Sequence, residues 1–331
     1  MPVVSDDDRL AIKDIVKTAT HSKILAFCRA RKQDVDAALS CDVSAIVMEI
    51  PSLRERLSVM GLTPEKAAAD ALDAIQYAKS HGLFVVFFPF ETTRADFGSI
   101  TAMIKAGEEG HADRLAVVDT MGAASPEGFA LLVKKVMSIT KVPLEVHCHN
   151  PLGLGVANTL AGLRAGAKSA HVSLNGIGEG AGNVALEEVV MSLLLVHGVD
   201  CGVDLGKMHE ACKLVEQLSK IPIAVNKPVL GRNVFRRESG IVVERYYKSP
   251  EIARELELFD PSWFAGETEI VLGKKSGKYS VLYMLRKKGL SATDEQVNEI
   301  LNDIKKKSVE TKTLVSDDEF NEIVSRIARS S

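Results

Sequence analysis

The sequence lacks the features that mark several protein classes. No stretch of 18 apolar residues occurs in its 331 residues, so no membrane span is expected. Lys and Arg number 41 against 44 Asp and Glu, and without a basic excess nucleic acid is not the expected partner. The first residues, MPVVSDDDRL, lack the basic segment and apolar core of a signal peptide.

Cysteine is scarce, and its placement argues against disulfides and zinc-binding pairs. The five cysteines lie in apolar surroundings and form no CxxC pair. This usage is typical of reduced, buried thiols and favours a cytoplasmic location. Cys148 lies between two histidines, but on a strand its side chain would point to the opposite face, so it is a poor candidate for a metal ligand.

What the sequence does contain is a regular alternation of short apolar runs and helical patterns. Six runs are rich in Val, Ile, Leu or Phe, as expected for strands that are buried on both faces. They span residues 23–28, 44–50, 83–90, 114–120, 144–149 and 169–175. Residues 63–82 and 125–139 predict helices, because each begins with a capping Thr or Ser followed by Pro. This order predicts parallel strands joined by crossover helices.

The predicted fold class is α/β, a TIM (β/α)8-type barrel that lacks its first two strands. The spacing of the six units favours a barrel over a doubly wound sheet, and a closed barrel of this type has eight strands. After about Gly198 the pattern becomes irregular and then helical. We therefore expect an N-terminally truncated barrel domain over 1–220, a linker or arm over 221–267, and a small C-terminal helical subdomain over 268–331.

Two histidines close the fifth run. His147 and His149 are two positions apart, so both rings would point into the barrel at the end of the strand where barrel enzymes place their sites. Neutral imidazoles held in this way are ligands for a divalent metal, and the alternative is a hydrogen-bonded pair at a strand end. Asn183, beyond the next strand, can supply an amide oxygen to the same ion.

A glycine-rich turn, VSLNGIGEGAGN, follows the sixth run and leads into a helix. Its exposed amides favour an anion or a polarised oxygen, and the residues expected to contact a cofactor there are Asn175, Gly178, Gly180 and Gly182. Glu179 in the same turn can orient a neighbour or carry a proton. A dinucleotide site is not favoured, because the turn follows the last strand and lacks the later acidic residue.

Polar side chains also end the third and fourth runs. Thr120 would face the mouth of the barrel and can hold a substrate carboxylate, or else form a turn and cap. Glu91 and Arg94 follow directly where the apolar residues of the third run stop, and both are candidate catalytic residues. Arg94 would clamp a carboxylate through two hydrogen bonds, or pair with Asp96 on the surface.

The segments HCHNPLGLGVANTLAGLRAGA and LNGIGEGAGNVALEEVV resemble the signature of the metal-dependent Claisen-type family that includes 2-isopropylmalate, homocitrate and citramalate synthases. KILAFCRARKQDVDAAL, DTMGAASPEG and EIVLGKKSGK are similar to it as well, so the resemblance covers almost the whole chain. It implies a TIM barrel, acetyl-CoA as co-substrate and a divalent metal (Mn, Mg or Zn) acting as a Lewis acid. It also implies that His147, His149 and Asn183 hold the metal, that Thr120 holds the carboxylate of a 2-oxo acid, and that Glu179 lines the site.

The chain also departs from the family pattern. The family's first strand carries an Arg, a metal-binding Asp and a supporting Glu, and no such strand precedes the first apolar run. Pro151 stands where the family usually has Asp, Gly180 replaces a common Arg, and Val242 stands where synthases often carry a His. We expect either a truncated sequence or a degenerate relative, and favour truncation because the rest of the pattern is coherent.

The function that the resemblance implies is an acyltransferase that condenses acetyl-CoA with a 2-oxo acid, of the 2-isopropylmalate synthase type that serves leucine biosynthesis. A cytoplasmic homodimer is implied with it. The alternatives are homocitrate or citramalate synthase, a retro-Claisen lyase that cleaves 3-hydroxy-3-methylglutaryl-CoA, and a non-catalytic truncated relative. The arm followed by LGKKSG resembles the accessory region of the synthases and favours a synthase over a lyase.

Overall fold

The computed structural model describes residues 1–264 and 266–329. The chain divides into two compact units, residues 1–201 and residues 202–331. The division into 1–220, 221–267 and 268–331 stays a prediction. Within the described residues, none of the helices combines the length and apolarity that crossing a membrane requires.

The first unit alternates strands with helices, as the sequence pattern predicts. Its strands are β1 (Leu25–Arg29), β2 (Ala45–Pro51), β3 (Phe84–Phe90), β4 (Arg114–Asp119), β5 (Leu144–Cys148) and β6 (Ser169–His171). Its helices are α1 (Asp6–Thr18), α2 (Lys32–Leu39), α3 (Arg54–Val59), α4 (Pro64–Ser80), α5 (Phe97–Glu109), α6 (Pro126–Met137), α7 (Gly155–Ala165) and α8 (Leu186–His197).

The six strands form one parallel sheet in the order β1 to β6. Each strand pairs with the next along the chain, which is the connectivity of a (β/α) barrel with right-handed crossovers. The prediction of six parallel strands with crossover helices is confirmed. Within the described residues, β1 and β6 are the outer strands of the sheet.

Local capping explains where the long crossover helices begin. The Thr63 hydroxyl accepts a hydrogen bond from the Lys66 amide at 3.2 Å, and Pro64 occupies the first helical position of α4. Ser125 accepts in the same way from the Gly128 amide at 3.1 Å at the start of α6. Each side chain satisfies an amide that has no partner within the helix, so both predicted helix starts are confirmed.

One face of the sheet carries the hydrophobic core of the first unit. Side chains that alternate along the strands, such as Val146 and Cys148 on β5 and Phe87 on β3, are fully buried against the crossover helices. The helices contribute Ile75 from α4 and Phe129 from α6, among others, to the same cluster. Because successive residues of a strand face opposite ways, the remaining positions face the inner side of the sheet.

The inner face is apolar over its middle strands. Phe88, Ala116 and Val118 are buried there in a separate small cluster, and Val47 and Phe90 pack against it. This cluster lies on the side that becomes the interior of a barrel, where branched and aromatic side chains normally fill the space. The polar side chains of the candidate site border it.

The second unit is mainly helical and has its own core. Its helices are α9 (Leu205–Ser219), α10 (Gly240–Lys248), α11 (Pro250–Glu255), α12 (Lys278–Lys287), α13 (Asp294–Thr311) and α14 (Asp317–Arg329), and its strands are β7 (Arg236–Arg237) and β8 (Glu269–Ile270). Helices α12, α13 and α14 bury a common cluster that includes Leu285, Ile300 and Phe320. The prediction of a C-terminal helical region is confirmed.

The tight contact between the sheet and α5 makes Phe87 a test of this packing. A Cβ atom added at Gly107 of α5 would lie 2.9 Å from the Phe87 ring, so the ring has no free space around it. We expect Phe87→Ala to lower the free energy of unfolding by about 3–5 kcal/mol, because it leaves a cavity in the core. Urea denaturation measures the loss. Phe97→Ala, at a ring that is 39% exposed, is the control and should cost about 1 kcal/mol or less; similar losses in both variants would contradict the assignment of the core.

Candidate active site at the carboxyl end of the sheet

The alternation along β5 places His147 and His149 on the inner face. Their neighbours Val146 and Cys148 are fully buried in the core on the other face, so the two imidazoles must point inward. Their ring centroids are 5.1 Å apart and the ring planes are tilted by 59°. Both rings therefore lie together at the carboxyl end of the strand, which is where enzymes of this barrel type bind their substrates.

Asn183 joins the histidines through the backbone of the glycine-rich turn. An isolated antiparallel bridge pairs Asn183 with His149, and the Asn150 amide donates to the Gly182 carbonyl at 3.0 Å. Gly178 packs directly on the Asn183 side chain, because a Cβ added there would lie 2.5 Å from Nδ2. The backbone of Gly182 (φ +97°) lies close to that of Gly176. Only glycine fits at position 182, because an added Cβ would lie 1.9 Å from the Gly176 carbonyl oxygen.

Two buried atoms of this group lack a hydrogen-bond partner in the described part of the chain: His147 Nδ1 and Asn183 Oδ1. A buried donor or acceptor without a partner is costly, and a bound cation is one way to satisfy it. The donor set of two imidazoles and an amide oxygen suits a divalent cation. Among residues 1–264 and 266–329, no group of three or more His, Cys, Asp or Glu side chains is placed to hold a metal ion, and the candidate set itself comprises two imidazoles and one amide.

The electrostatics keep His147 neutral. Burial, and to a lesser extent the neighbouring His171 and His149, lower the pKa of the His147 imidazole to about 3. A neutral imidazole has a free lone pair, which is the form that binds a metal. The ring is therefore ready as a ligand across the physiological pH range.

His147 packs against a cluster that sequence reasoning missed, formed by His171, Phe88, Glu145 and Arg114. The ring of His171 on β6 meets the His147 ring edge-on, with centroids 5.5 Å apart, and stacks on Phe88 at 5.6 Å. Glu145 Oε2 lies 2.6 Å from His171 Nε2, and Arg114 donates to the other carboxylate oxygen at 2.6 Å. Burial raises the pKa of Glu145, but the hydrogen bonds from His171 and Arg114 outweigh it and lower the pKa to about 2.

Thr120 directly follows β4, two positions after the inward-facing Val118, and it contacts the backbone of Glu91. The Thr120 hydroxyl accepts a hydrogen bond from the Glu91 amide at 2.8 Å. The Glu91 side chain is 1% exposed and pairs with Arg56 Nε at 2.9 Å. Its backbone is left-handed (φ +63°), a conformation that few non-glycine residues adopt. Arg94 is exposed.

Of the residues in the glycine-rich turn, Glu179 is exposed and Asn175 is held by its backbone. The Asn175 amide donates to Glu187 Oε2 at 3.2 Å in a left-handed conformation (φ +62°). Gly180 has open space around it, since a Cβ there would meet no atom within 4 Å. Gly178 and Gly182 shape the turn around Asn183, and the contact of these four residues with a cofactor stays a prediction.

Asp119 is a second group that sequence reasoning missed. Its buried carboxylate accepts from the Thr93 hydroxyl at 2.8 Å, from the Ala123 and Ala124 amides at 3.3 and 3.2 Å, and from Asn158 Nδ2 at 3.2 Å. Its carbonyl accepts from the His149 amide at 3.2 Å. One residue thus ties the loops after β3 and β4 to α7 and to the end of β5.

Glu49 is a third missed residue, and it lies at the wall of a cavity. It occupies the inner face of β2 and is half-buried. The cavity has a volume of ≈ 950 Å³ and opens at the carboxyl ends of β1, β2 and β3. Glu49, Glu145 and His171 share a signal in the sequence: each is a polar, titratable residue inside an otherwise apolar strand run.

Comparison with known proteins identifies the family. Residues 1–215 match the family described as HMGL-like, which is more than half of the chain. The chain belongs to the HMGL-like family. Residues 229–312 of this HMGL-like chain match the domain described as homocitrate synthase post-HMGL domain-like. The resemblance that the signature segments carry is therefore confirmed.

Curated relatives of the HMGL-like chain bear the names of three synthases. It is 37% identical over 330 residues to homocitrate synthase AksA of Methanothermobacter thermautotrophicus, covering 98% of this chain and 83% of the relative. It is 38% identical to the probable 2-isopropylmalate synthase of Ignicoccus hospitalis, covering 98% and 81%. It is 36% identical to (R)-citramalate synthase CimA of Methanocaldococcus jannaschii, covering 92% of this chain and 61% of that protein.

Solved structures support the fold. The HMG-CoA lyase of Bacillus subtilis superposes with a TM-score of 0.59 at 18% identity, covering 66% of this chain and 78% of the lyase. An HMG-CoA lyase from Acinetobacter baumannii gives a TM-score of 0.58 at 18% identity, covering 66% and 75%. At this identity the likeness shows that the HMGL-like chain has a TIM-barrel-like fold, and the predicted fold class is confirmed.

The low pKa of His147 predicts an acid-sensitive fold. When a chelator keeps metal ions away, the folded chain holds this ring neutral down to about pH 3. In the unfolded chain the same ring becomes protonated near pH 6.5. Stability is therefore lost as the pH falls below about 6.5, by about 2 kcal/mol between pH 7 and pH 5. Urea denaturation at pH 7 and pH 5 measures this loss of unfolding free energy. The loss should be smaller by about 2 kcal/mol in His147→Gln than in the wild type. The exposed His21→Gln should behave as the wild type; an unchanged difference in His147→Gln would contradict a buried neutral ring.

Proposed function

We propose that this chain is an acyltransferase that condenses acetyl-CoA with a 2-oxo acid, in the manner of 2-isopropylmalate synthase. The observation that carries the proposal is the meeting of His147, His149 and Asn183 on the inner face at the carboxyl end of the sheet. The names of the relatives, which are homocitrate, 2-isopropylmalate and citramalate synthases, support the reaction class.

The two histidines and Asn183 would hold a divalent cation, Mn, Mg or Zn. When bound, the cation supplies Lewis-acid polarisation of the keto group of the 2-oxo acid. The unpartnered His147 Nδ1 and Asn183 Oδ1 support this role, as does the low pKa that keeps His147 neutral. The half-buried His171 ring and the buried Phe88 ring pack edge-on against the His147 ring and hold it in place.

Thr120 would hold the carboxylate of the 2-oxo acid. Its oxygen already accepts the hydrogen bond from the Glu91 amide, so the hydroxyl proton is left to donate. A carboxylate oxygen at the mouth of the barrel is a suitable acceptor for it. The left-handed Glu91 and the buried Asp119 carboxylate fix the backbone on either side of this hydroxyl.

The inner face favours a 2-oxo acid with an apolar side chain over a dicarboxylic one. Phe88, Phe90 and Val118 form the apolar surface beside the histidines. The guanidinium groups of Arg56 and Arg29 at the adjoining cavity are already paired, with Glu91 and Asp34 respectively. A second substrate carboxylate would have to compete with these ion pairs, which supports a 2-isopropylmalate type of reaction over the homocitrate type. A cytoplasmic homodimer stays a prediction.

The proposed reaction releases free CoA, and its release tests the proposal. The full chain with Mn²⁺ and acetyl-CoA should release CoA, detected with a thiol reagent, faster with 2-oxoisovalerate than with pyruvate or 2-oxoglutarate. His147→Ala should lower the rate by about 100-fold or more, equivalent to about 2.7 kcal/mol of transition-state stabilisation. Omitting the oxo acid measures background hydrolysis.

Two other outcomes of this assay would contradict the synthase. Cleavage of 3-hydroxy-3-methylglutaryl-CoA without any condensation would identify a lyase. The absence of CoA release with every oxo acid would favour a non-catalytic relative.

Cation binding can be measured without turnover. Isothermal titration of the full chain with Mn²⁺ should show one site, and the double variant His147→Ala/His149→Ala should lose it, because both nitrogen ligands are gone. His21→Ala/His81→Ala removes two exposed imidazoles and serves as the matched control. Equal binding by both double variants would show that the cation does not use the two histidines of β5.

A further inference from the structure

The strand register places Glu49 on the inner face of the sheet, beside Phe88. Glu49 of β2 pairs in register with Arg29 of β1 on one side and with Phe88 of β3 on the other. Neighbouring strands lie about 4.8 Å apart, and the Phe88 ring is itself 5.0 Å from the His147 ring. Phe88, the neighbour of Glu49 on β3, is therefore also the residue whose ring contacts His147 on β5.

The space in front of Glu49 is large enough for a ligand. The cavity of ≈ 950 Å³ that it borders has an apolar wall of Pro51, Met60 and Phe90. Arg31 at the entrance to this cavity is exposed. A thioester with an acetyl group is apolar at its reacting end, and its CoA portion is anionic, so the cavity has the polarity to take it.

The arginines beside Glu49 are engaged by other carboxylates. Arg29 donates to both oxygens of Asp34 at 2.8 and 2.9 Å, and Arg56 is engaged by Glu91 at 2.9 Å. In the described ranges, no hydrogen bond or ion pair engages the Glu49 carboxylate. An unpaired carboxylate facing a cavity is free to accept a proton.

The charges around Glu49 come from four elements. Burial is the largest influence and raises the pKa of Glu49; Asp34 of α2 and Glu179 of the turn after β6 act in the same direction, while Arg29 of β1 and Arg56 of α3 oppose it. The sum is a raised pKa. A carboxylate with a raised pKa is a stronger base than an ordinary one.

The other carboxylates near the mouth are less suited to carry a proton. Glu91 is 1% exposed and bound to Arg56. Glu145 is held by Arg114, Ser169 and His171, and its pKa of about 2 makes it a weak base. Glu179 is exposed to solvent, and Asp119 is fully buried with four donors.

We propose that Glu49 is the general base that removes a proton from the methyl group of acetyl-CoA. This inference rests on the condensation proposed above. The C–H bond of the methyl group breaks, the proton goes to Glu49, and the electron pair forms the enolate of the thioester. The enolate carbon then bonds to the keto carbon of the 2-oxo acid, whose C=O electron pair moves to oxygen. That oxygen takes up a proton, and water cleaves the thioester to release CoA as a thiol.

The test separates proton removal from condensation. The full chain with Mn²⁺ is incubated with acetyl-CoA in D₂O without an oxo acid, and mass spectrometry follows exchange of the methyl hydrogens. CoA release with 2-oxoisovalerate is measured in parallel. Glu49→Gln should lower both the exchange rate and kcat by about 10²–10⁴-fold, the range of general-base catalysis, with KM little changed. It should also remove the fall in rate at low pH, because that fall reports protonation of the base.

Two further variants control for structural damage. Glu109→Asn, at an exposed position at the end of α5 that does not line the cavity, should leave exchange and CoA release unchanged. Glu49→Asp keeps a carboxylate set back by one methylene group, so it should exchange at an intermediate rate and retain the fall at low pH. If Glu49→Gln does not fold, Glu49→Asp decides, and wild-type rates in it with an unshifted pH profile would overturn the role of Glu49.

The outcomes distinguish the base from the condensation. Wild-type CoA release that persists within twofold in folded Glu49→Gln would overturn Glu49 as the base and leave the condensation standing. Methyl exchange that is lost in Glu49→Gln, with no CoA release from any oxo acid in the wild type, would support Glu49 and overturn the condensation. Neither exchange nor CoA release in the wild type would overturn both.

Discussion

The site depends on one constraint, which is that helices cover one complete face of the parallel sheet. Val146 and Cys148 are locked into that core, and the pleat of the strand then directs His147 and His149 to the opposite side. A register slip of one residue would bury the histidines among the helices and expose the core residues. The energy of the core, rather than any contact between the histidines, therefore decides where the imidazoles point.

Buried carboxylates then fix the loops at the carboxyl end of the sheet. Asp119 gathers donors from the loops after β3 and β4 and from α7, so these segments cannot move independently. Glu91 adds a strained, left-handed residue whose amide is bound to Thr120 and whose carboxylate is bound to Arg56. Strain of this kind persists where the surroundings overdetermine the backbone. The mouth of the sheet is thus held by buried polar groups that are already engaged.

Much of this arrangement is readable from the sequence, and the exceptions have a common cause. The strands, the caps at Thr63 and Ser125 and the paired histidines follow from local patterns of period 2 and from helix-start chemistry. The inward side of Glu49 does not, because β2 is buried on both faces and its sequence shows no alternation. The cluster of Glu145 with His171 depends on the pairing of β5 with β6. Glu91 has a positive φ that no local pattern signals. Such features need the register between strands, which only the folded chain supplies.

The two unpartnered atoms at the candidate metal site, His147 Nδ1 and Asn183 Oδ1, link the folding of the chain to its surroundings. Each buried polar group without a partner weakens the folded state by about 1–3 kcal/mol. A cation that binds only the folded chain would raise the free energy of unfolding, and the gain would grow with the logarithm of the free cation concentration. The steady-state amount of this protein in a cell would then follow the supply of the ion, since unfolded chains are removed by proteases. Metal starvation would lower the abundance of the chain as well as the occupancy of its site.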